Sequence, residues 1–269
     1  MLKRFLSLMR TSRLMQAGAA IAILGLVVYI VGLFTPLNSG VPRAPGRIAM
    51  DYLFNIFHAG LIIMMWAYFK DHKTWLLPWY QEGLKIEIFS SQRIVRIALI
   101  AAATIVFAFV KIPLLGWSIR TVPPVFGAMY FGLLEGLLGG WVGYMLSTLI
   151  VGGYSDPLAT MPLWMGPDAV VVAASSIIYF QWIRDQPSAA KRSKGYGIML
   201  VVLFVIWFVL MVSESIGYMG AAVVLPYAFQ YLVGGLIILI VITLISVGAV
   251  EAMNRTRWGK AARPPANKT

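Results

Sequence analysis

The chain has 269 residues, of which 60% are hydrophobic and 12% charged, with a formal net charge of +12 and a mean hydropathy of +0.81. This balance excludes a soluble globular domain and a disordered chain, and the continuous apolar runs exclude a transmembrane β-barrel, whose strands alternate in segments of about 10 residues. Cysteine is absent, which removes disulfides, thiolate metal sites, iron–sulfur clusters and cysteine nucleophiles together.

The expected fold is an all-α polytopic membrane protein. The opening "MLKRFLSLMRTSR" resembles the basic start of a signal peptide, but the apolar run behind it is too long and carries no small-residue cleavage site. A retained first helix is expected. In chain order the sequence predicts apolar helices at Leu14–Phe34, Tyr52–Phe69, Ile94–Val110, Ala169–Ile183, Ile198–Ser215 and Tyr227–Val250. The segment 71–93 is mixed, and its Trp75, Trp79 and Tyr80 suit a membrane interface. The tail after Met253 is polar and proline-containing, with the composition of a disordered end.

Between the third and fourth of these helices lies a run from Pro123 to Val151 whose sole charged side chain is Glu135. Lysine and arginine accumulate in cytoplasmic loops, so charge decides whether this run crosses the membrane once or turns back. A single crossing places the basic segment 184–194 and the basic C-terminus opposite the basic N-terminus. A turn near Leu133–Gly136 leaves only Arg43, Arg47, Lys111 and Arg120 of the 22 basic residues outside. The sequence therefore favours eight spans, with two short crossings of about 13 residues each inside 123–151 and Glu135 hydrated at the cytoplasmic turn. Gly132, Gly136 and Gly140 recur every four residues, a spacing that lets helix backbones approach. The net charge of +12 is read as basic cytoplasmic loops, and no nucleic-acid partner is expected.

No catalytic constellation stands out, so the protein is not expected to be an enzyme and no cofactor or metal is implied. Neither histidine, His58 or His72, sits at metal-ligand spacing, and no phosphate-binding loop or dinucleotide fingerprint occurs. His58 is read as a packed, hydrogen-bonded interior histidine.

The outer segments 111–122, 152–168 and 217–226 are rich in glycine, proline and aromatic residues. They supply Trp117, Arg120, Tyr154, Asp156, Trp164, Asp168 and Tyr218, with Glu214, Tyr227, Gln230 and Tyr231 near the ends of adjoining helices. Aromatic walls with a few polar groups suit a small-molecule site. Glu214 is costly in an apolar helix unless it is paired or faces a cavity, and Arg120 can pair bidentately with a carboxylate or phosphate. The ligand class that follows is anionic or aromatic.

From about Ser91 onward, "RIALIAAATIVFAFVKIPLLG" followed by "PPVFGAMYFGLLEGLLGGWVGYMLSTLIVGG" resembles the substrate-binding S component of energy-coupling factor (ECF) vitamin transporters. The resemblance implies a six-helix core over 91–253, preceded by a two-helix extension over 1–90 and followed by a polar tail over 254–269. It also implies a prokaryotic plasma-membrane location, cytoplasmic termini and uptake of a vitamin-like ligand, energised by a transmembrane coupling subunit and two ATPase subunits. Ala98 and Ala102 stand where the family's AxxxA motif meets the coupling subunit. A non-transporting scaffold subunit is the alternative that the unexplained N-terminal helices leave open.

Overall fold

The computed structural model describes residues 2–35, 45–69, 90–113, 115–151, 157–219 and 224–256. Nine α-helices lie among the described residues: α1 (Leu2–Thr11), α2 (Arg13–Leu33), α3 (Pro45–Phe69), α4 (Ser91–Ala108), α5 (Val122–Tyr130), α6 (Leu133–Val151), α7 (Pro157–Ile178), α8 (Ala189–Met219) and α9 (Ala228–Arg255). α7 runs into a π-helical turn over Tyr179–Ile183, and a 3₁₀ turn over Leu225–Tyr227 leads into α9. Among the described residues five helices are long and apolar enough to cross a membrane: α2, α4, α6 over Leu133–Ile150, α8 over Ala189–Ser213 and α9. In α3 the stretch Tyr52–Met65 forms a shorter apolar helix. The predicted interfacial segment 71–93 lies mostly outside the described residues, as does the tail beyond residue 256.

The chain forms two compact units. The first contains residues 1–71, 148–171 and 203–237, and the second contains 72–147, 172–202 and 238–269.

In the first unit α2 and α3 form a close pair. A Cβ added at Gly25 would collide with the Phe57 backbone, and one added at Gly60 would collide with the backbone of Ala22. Small residues at these two levels bring the backbones together where no hydrophobic drive exists between lipid-facing helices. Tyr29 of α2 stacks on Phe54 of α3 with ring centroids 4.2 Å apart, and its hydroxyl donates to the Ser213 carbonyl of α8. That hydrogen bond ties the N-terminal pair to α8 within the same unit.

In the second unit α4 and α6 lie side by side and run in the same direction. Arg93 reaches Glu135, Ile100 faces Gly139, and Thr104 faces Gly143. Two neighbouring parallel helices require the intervening chain to travel back, so the Pro123–Val151 run does turn.

The turn differs from the expected one in place and in shape. The helix breaks at Gly132, whose φ of 126° lies in a region that favours glycine. Gly127 O caps the first arm, accepting from Phe131 N at 2.8 Å and Gly132 N at 3.1 Å. The arms are unequal, with 9 residues in α5 and 19 in α6. At 1.5 Å per residue, α6 is long enough to cross a ~30 Å hydrocarbon core, whereas α5 spans about half of one.

α5 is an internal half-helix. Of its nine residues all but Phe126 are buried. Gly136 of α6 admits it closely, because a Cβ at 136 would lie 2.6 Å from Ala128 N. A half-helix at membrane depth is tolerated when its terminal polar groups are met by protein. At its carboxyl end Ser176 Oγ of α7 donates to Ala128 O at 3.0 Å, and in its first turn Ser246 Oγ of α9 adds a hydrogen bond to Val122 O at 3.2 Å.

Candidate functional site

α4 ends at Ala108 and the chain turns through a short hairpin before entering α5. Ile112 N donates to Trp117 O at 2.8 Å and Ile119 N to Val110 O at 3.1 Å. Gly116, with φ of 67°, makes the reversal. The hairpin delivers Arg120 and Thr121 to the amino end of α5, where both are buried, at 8% and 4% exposure. The Arg120 guanidinium carbon lies 5.2 Å from the Tyr144 ring centroid on α6. Tyr144 is 1% exposed, so a desolvated cation sits on an aromatic face.

The amino end of α5 has few donors of its own. Positions 123 and 124 are prolines and carry no N–H, Val122 N donates to Ile119 O at 3.0 Å, and Val125 N donates to Thr121 O at 3.1 Å. Positive charge there comes from Arg120 and the residual helix dipole rather than from free amides. A guanidinium in this position can hold a carboxylate or phosphate through two parallel hydrogen bonds.

The other predicted ligand residues are placed as follows. Trp117 lies in the same hairpin as Arg120 and is half-buried. Tyr154 and Asp156 lie outside the described residues. Trp164 falls in α7, Glu214 and Tyr218 in α8 and Tyr227 in the 3₁₀ turn, all in the first unit, and their side chains are outside the description. Asp168 is buried, Gln230 is exposed and Tyr231 is half-buried, again in the first unit. Ala98 and Ala102 are both exposed on α4, alongside the exposed side chains of Ile94, Val95, Leu99 and Val106.

Glu135 corrects the expectation of a hydrated carboxylate. It is fully buried. Its Oε1 accepts from Arg93 Nε at 3.0 Å and lies 3.9 Å from Arg96 Nη1. Arg96 also lies 5.2 Å from the Phe131 ring centroid. Sequence reasoning missed this pair. The signal was present, since a lone acid in an apolar run needs a cation and α4 begins with two arginines.

His58 departs from expectation too. It is 2% exposed and packs edge-on to Phe54 at 4.8 Å, but among the described residues neither ring nitrogen has a hydrogen-bond partner. A Cβ at Gly166 would strike its Nδ1 and lie 2.6 Å from Asn55 Oδ1. The space beside this imidazole is thus taken up by the α7 backbone. Among the described residues no group of three His, Asp or Glu side chains could hold a metal ion.

Comparison with family models, with curated proteins and with solved structures returns no match for this chain.

Proposed function

We propose that the protein is a membrane-embedded substrate-binding subunit for uptake of an anionic, vitamin-like small molecule, energised by separate coupling and ATPase subunits. The carrying observation is Arg120, a buried guanidinium on the face of Tyr144, delivered by an ordered hairpin to the amino end of an internal half-helix. A guanidinium held at low dielectric interacts strongly with a carboxylate or phosphate that reaches it. In this reading the chain sits in a prokaryotic plasma membrane with its basic termini cytoplasmic, and the hairpin faces outward. Ligand capture biases the chain between two states that an ATP-driven partner binds unequally. The exposed Ala98 and Ala102 lie on the face of α4 that would meet the coupling subunit.

Mass spectrometry of the purified protein tests the reading, followed by calorimetric titration of whatever small anion is released. Arg120→Ala should weaken binding by at least tenfold, and Arg120→Lys should restore only part of it, because an ammonium cannot reproduce the guanidinium fork. Unchanged affinity in Arg120→Ala would remove the arginine from the site. Recovery of neither a coupling subunit nor ATPases with the tagged protein would remove the ECF assignment.

A non-transporting scaffold is the second reading. It is favoured by the close α2–α3 pair, whose α2 leaves Ile23, Leu24, Val27 and Val31 exposed. Isolation of the protein in a larger complex with no bound small molecule would support it over the first.

A further inference from the structure

The sequence reads the N-terminal region as one basic flank leading into one helix, but the structure splits it in two. α1 ends at Thr11 and α2 starts at Arg13, with Ser12 alone between them. Ser12 has φ −97° and ψ 112°, an extended conformation that breaks the helical path. The corner is held by its own hydrogen bonds. Ser12 is buried and its Oγ accepts from Met15 N at 3.3 Å. Gln16 Nε2 donates to the terminal α1 carbonyls of Met9 at 3.2 Å and Arg10 at 3.1 Å. These bonds cap the amino end of α2 and the carboxyl end of α1 at once.

α1 is amphipathic in a way that α2 is not. At 100° per residue, positions 2, 5, 6, 8 and 9 (Leu, Phe, Leu, Leu, Met) fall on one side, and 3, 4, 7, 10 and 11 (Lys, Arg, Ser, Arg, Thr) fall on the other. Leu6 is 51% exposed, although α1 touches both α2 and α3. No acidic residue occurs before Asp51. Arg10 and Arg13 are exposed, and among the described residues neither has a carboxylate partner.

We infer that α1 is an interfacial helix that docks on anionic phospholipid headgroups of the leaflet from which α2 enters the membrane. One residue separates it from an apolar helix of 21 residues, so α1 is held at headgroup depth. Its apolar side lies towards the acyl chains, and Arg10 and Arg13 face lipid phosphates. The occupant is a lipid surface rather than a protein because the segment carries cations and no acid, and Arg10 and Arg13 have no carboxylate partner among the described residues. The apolar side is also short, carried by a helix of only ten residues. This inference does not depend on the transport reading.

The test uses the full chain, whose lack of cysteine permits single-site labelling. Leu6→Cys and Ser7→Cys are labelled with an environment-sensitive fluorophore, and the proteins are reconstituted into phosphatidylcholine vesicles with or without phosphatidylglycerol. The label at 6 should be shielded from aqueous iodide and quenched by brominated acyl chains, and the label at 7 should remain open to iodide. Lipid carried by the protein out of mixed micelles is read by native mass spectrometry. Arg10→Gln/Arg13→Gln should lower retained phosphatidylglycerol relative to phosphatidylcholine by about 25-fold, at about fivefold per cation, and Arg10→Lys/Arg13→Lys should restore it. Equal iodide access at 6 and 7 in vesicles, or equal lipid retention by wild type and the glutamine variant, would overturn the inference. Shielding at 6 that persists in detergent and scales with protein concentration would assign the face to a second copy of the chain instead.

Discussion

Glu135 and Arg93 offer the sharpest test of how the second unit is held together. Their side chains are 1% and 7% exposed, with a separation of 3.0 Å. At an effective dielectric of about 20, two unit charges at this distance attract by about 5 kcal/mol, most of which offsets desolvation. Removing one partner strands the other, so the cost of a single change exceeds the net worth of the pair. Arg93→Met should destabilise by about 3 kcal/mol, at the low end for a broken buried pair because Arg96 still approaches Glu135. Glu135→Gln should cost about 3–5 kcal/mol, since it removes the carboxylate that Arg93 pairs with and leaves the guanidinium buried. The combined Arg93→Met/Glu135→Gln removes both charges together and should lose much less than the sum of the two single changes, giving a coupling of about 2 kcal/mol or more. Arg96→Met is the control, expected below about 1 kcal/mol because that side chain is 30% exposed and 3.9 Å away. Reversible unfolding in mixed SDS micelles, followed by tryptophan fluorescence, reads all four variants. Single losses below about 1 kcal/mol that simply add would mean that water reaches the pair, and the case for a buried clasp between α4 and α6 would fail.

Three further outcomes follow from the same unit. Gly136→Ala drives a methyl group into the α5 backbone at Ala128 and should cost about 1–3 kcal/mol in the same assay, while Gly248→Ala, with open space around it, should cost under about 1 kcal/mol. Ser176→Ala and Ser246→Ala each remove a donor to an α5 carbonyl and should cost about 1 kcal/mol apiece, and a neutral result for both would mean that water or another group satisfies those carbonyls. Cysteines replacing the exposed residues Gln92 and Asp185 should label from one side of the membrane, with Lys111→Cys labelling from the other. Labelling of Gln92→Cys and Lys111→Cys from a common side would contradict α4 as a crossing helix.

Much of the architecture is legible in the sequence because hydropathy and basic-residue balance are local sums. Runs of apolar residues locate the long helices, and the distribution of 22 basic residues favours a reversal within the Pro123–Val151 run. The structure agrees, with α4 and α6 running in parallel. The placement of the break was harder to read. Gly132, Gly136 and Gly140 share one spacing, yet Gly132 turns the chain, Gly136 admits Ala128 and Gly140 faces Pro124. Glycine is required for different reasons at these positions, and only the neighbours distinguish them.

The candidate site divides along the same line. Arg120 was legible as one of few basic residues that the charge balance leaves apart from the basic loops, but its burial and its seat on Tyr144 follow from α6 passing beside the hairpin. The charge of Glu135 was visible at once, whereas its partner lies 42 residues away and no local pattern names it. Likewise Ser12 looks like an ordinary polar residue within a basic flank until its extended backbone separates α1 from α2. By itself, then, the sequence determined that the chain is helical and suited to a membrane, since both depend on composition within a window, and its balance of basic residues along the chain favoured a middle run that doubles back. Tertiary structure alone decided which charges are buried together, which half-helix is internal and where backbones touch, because those energies arise between segments that the chain brings together only on folding.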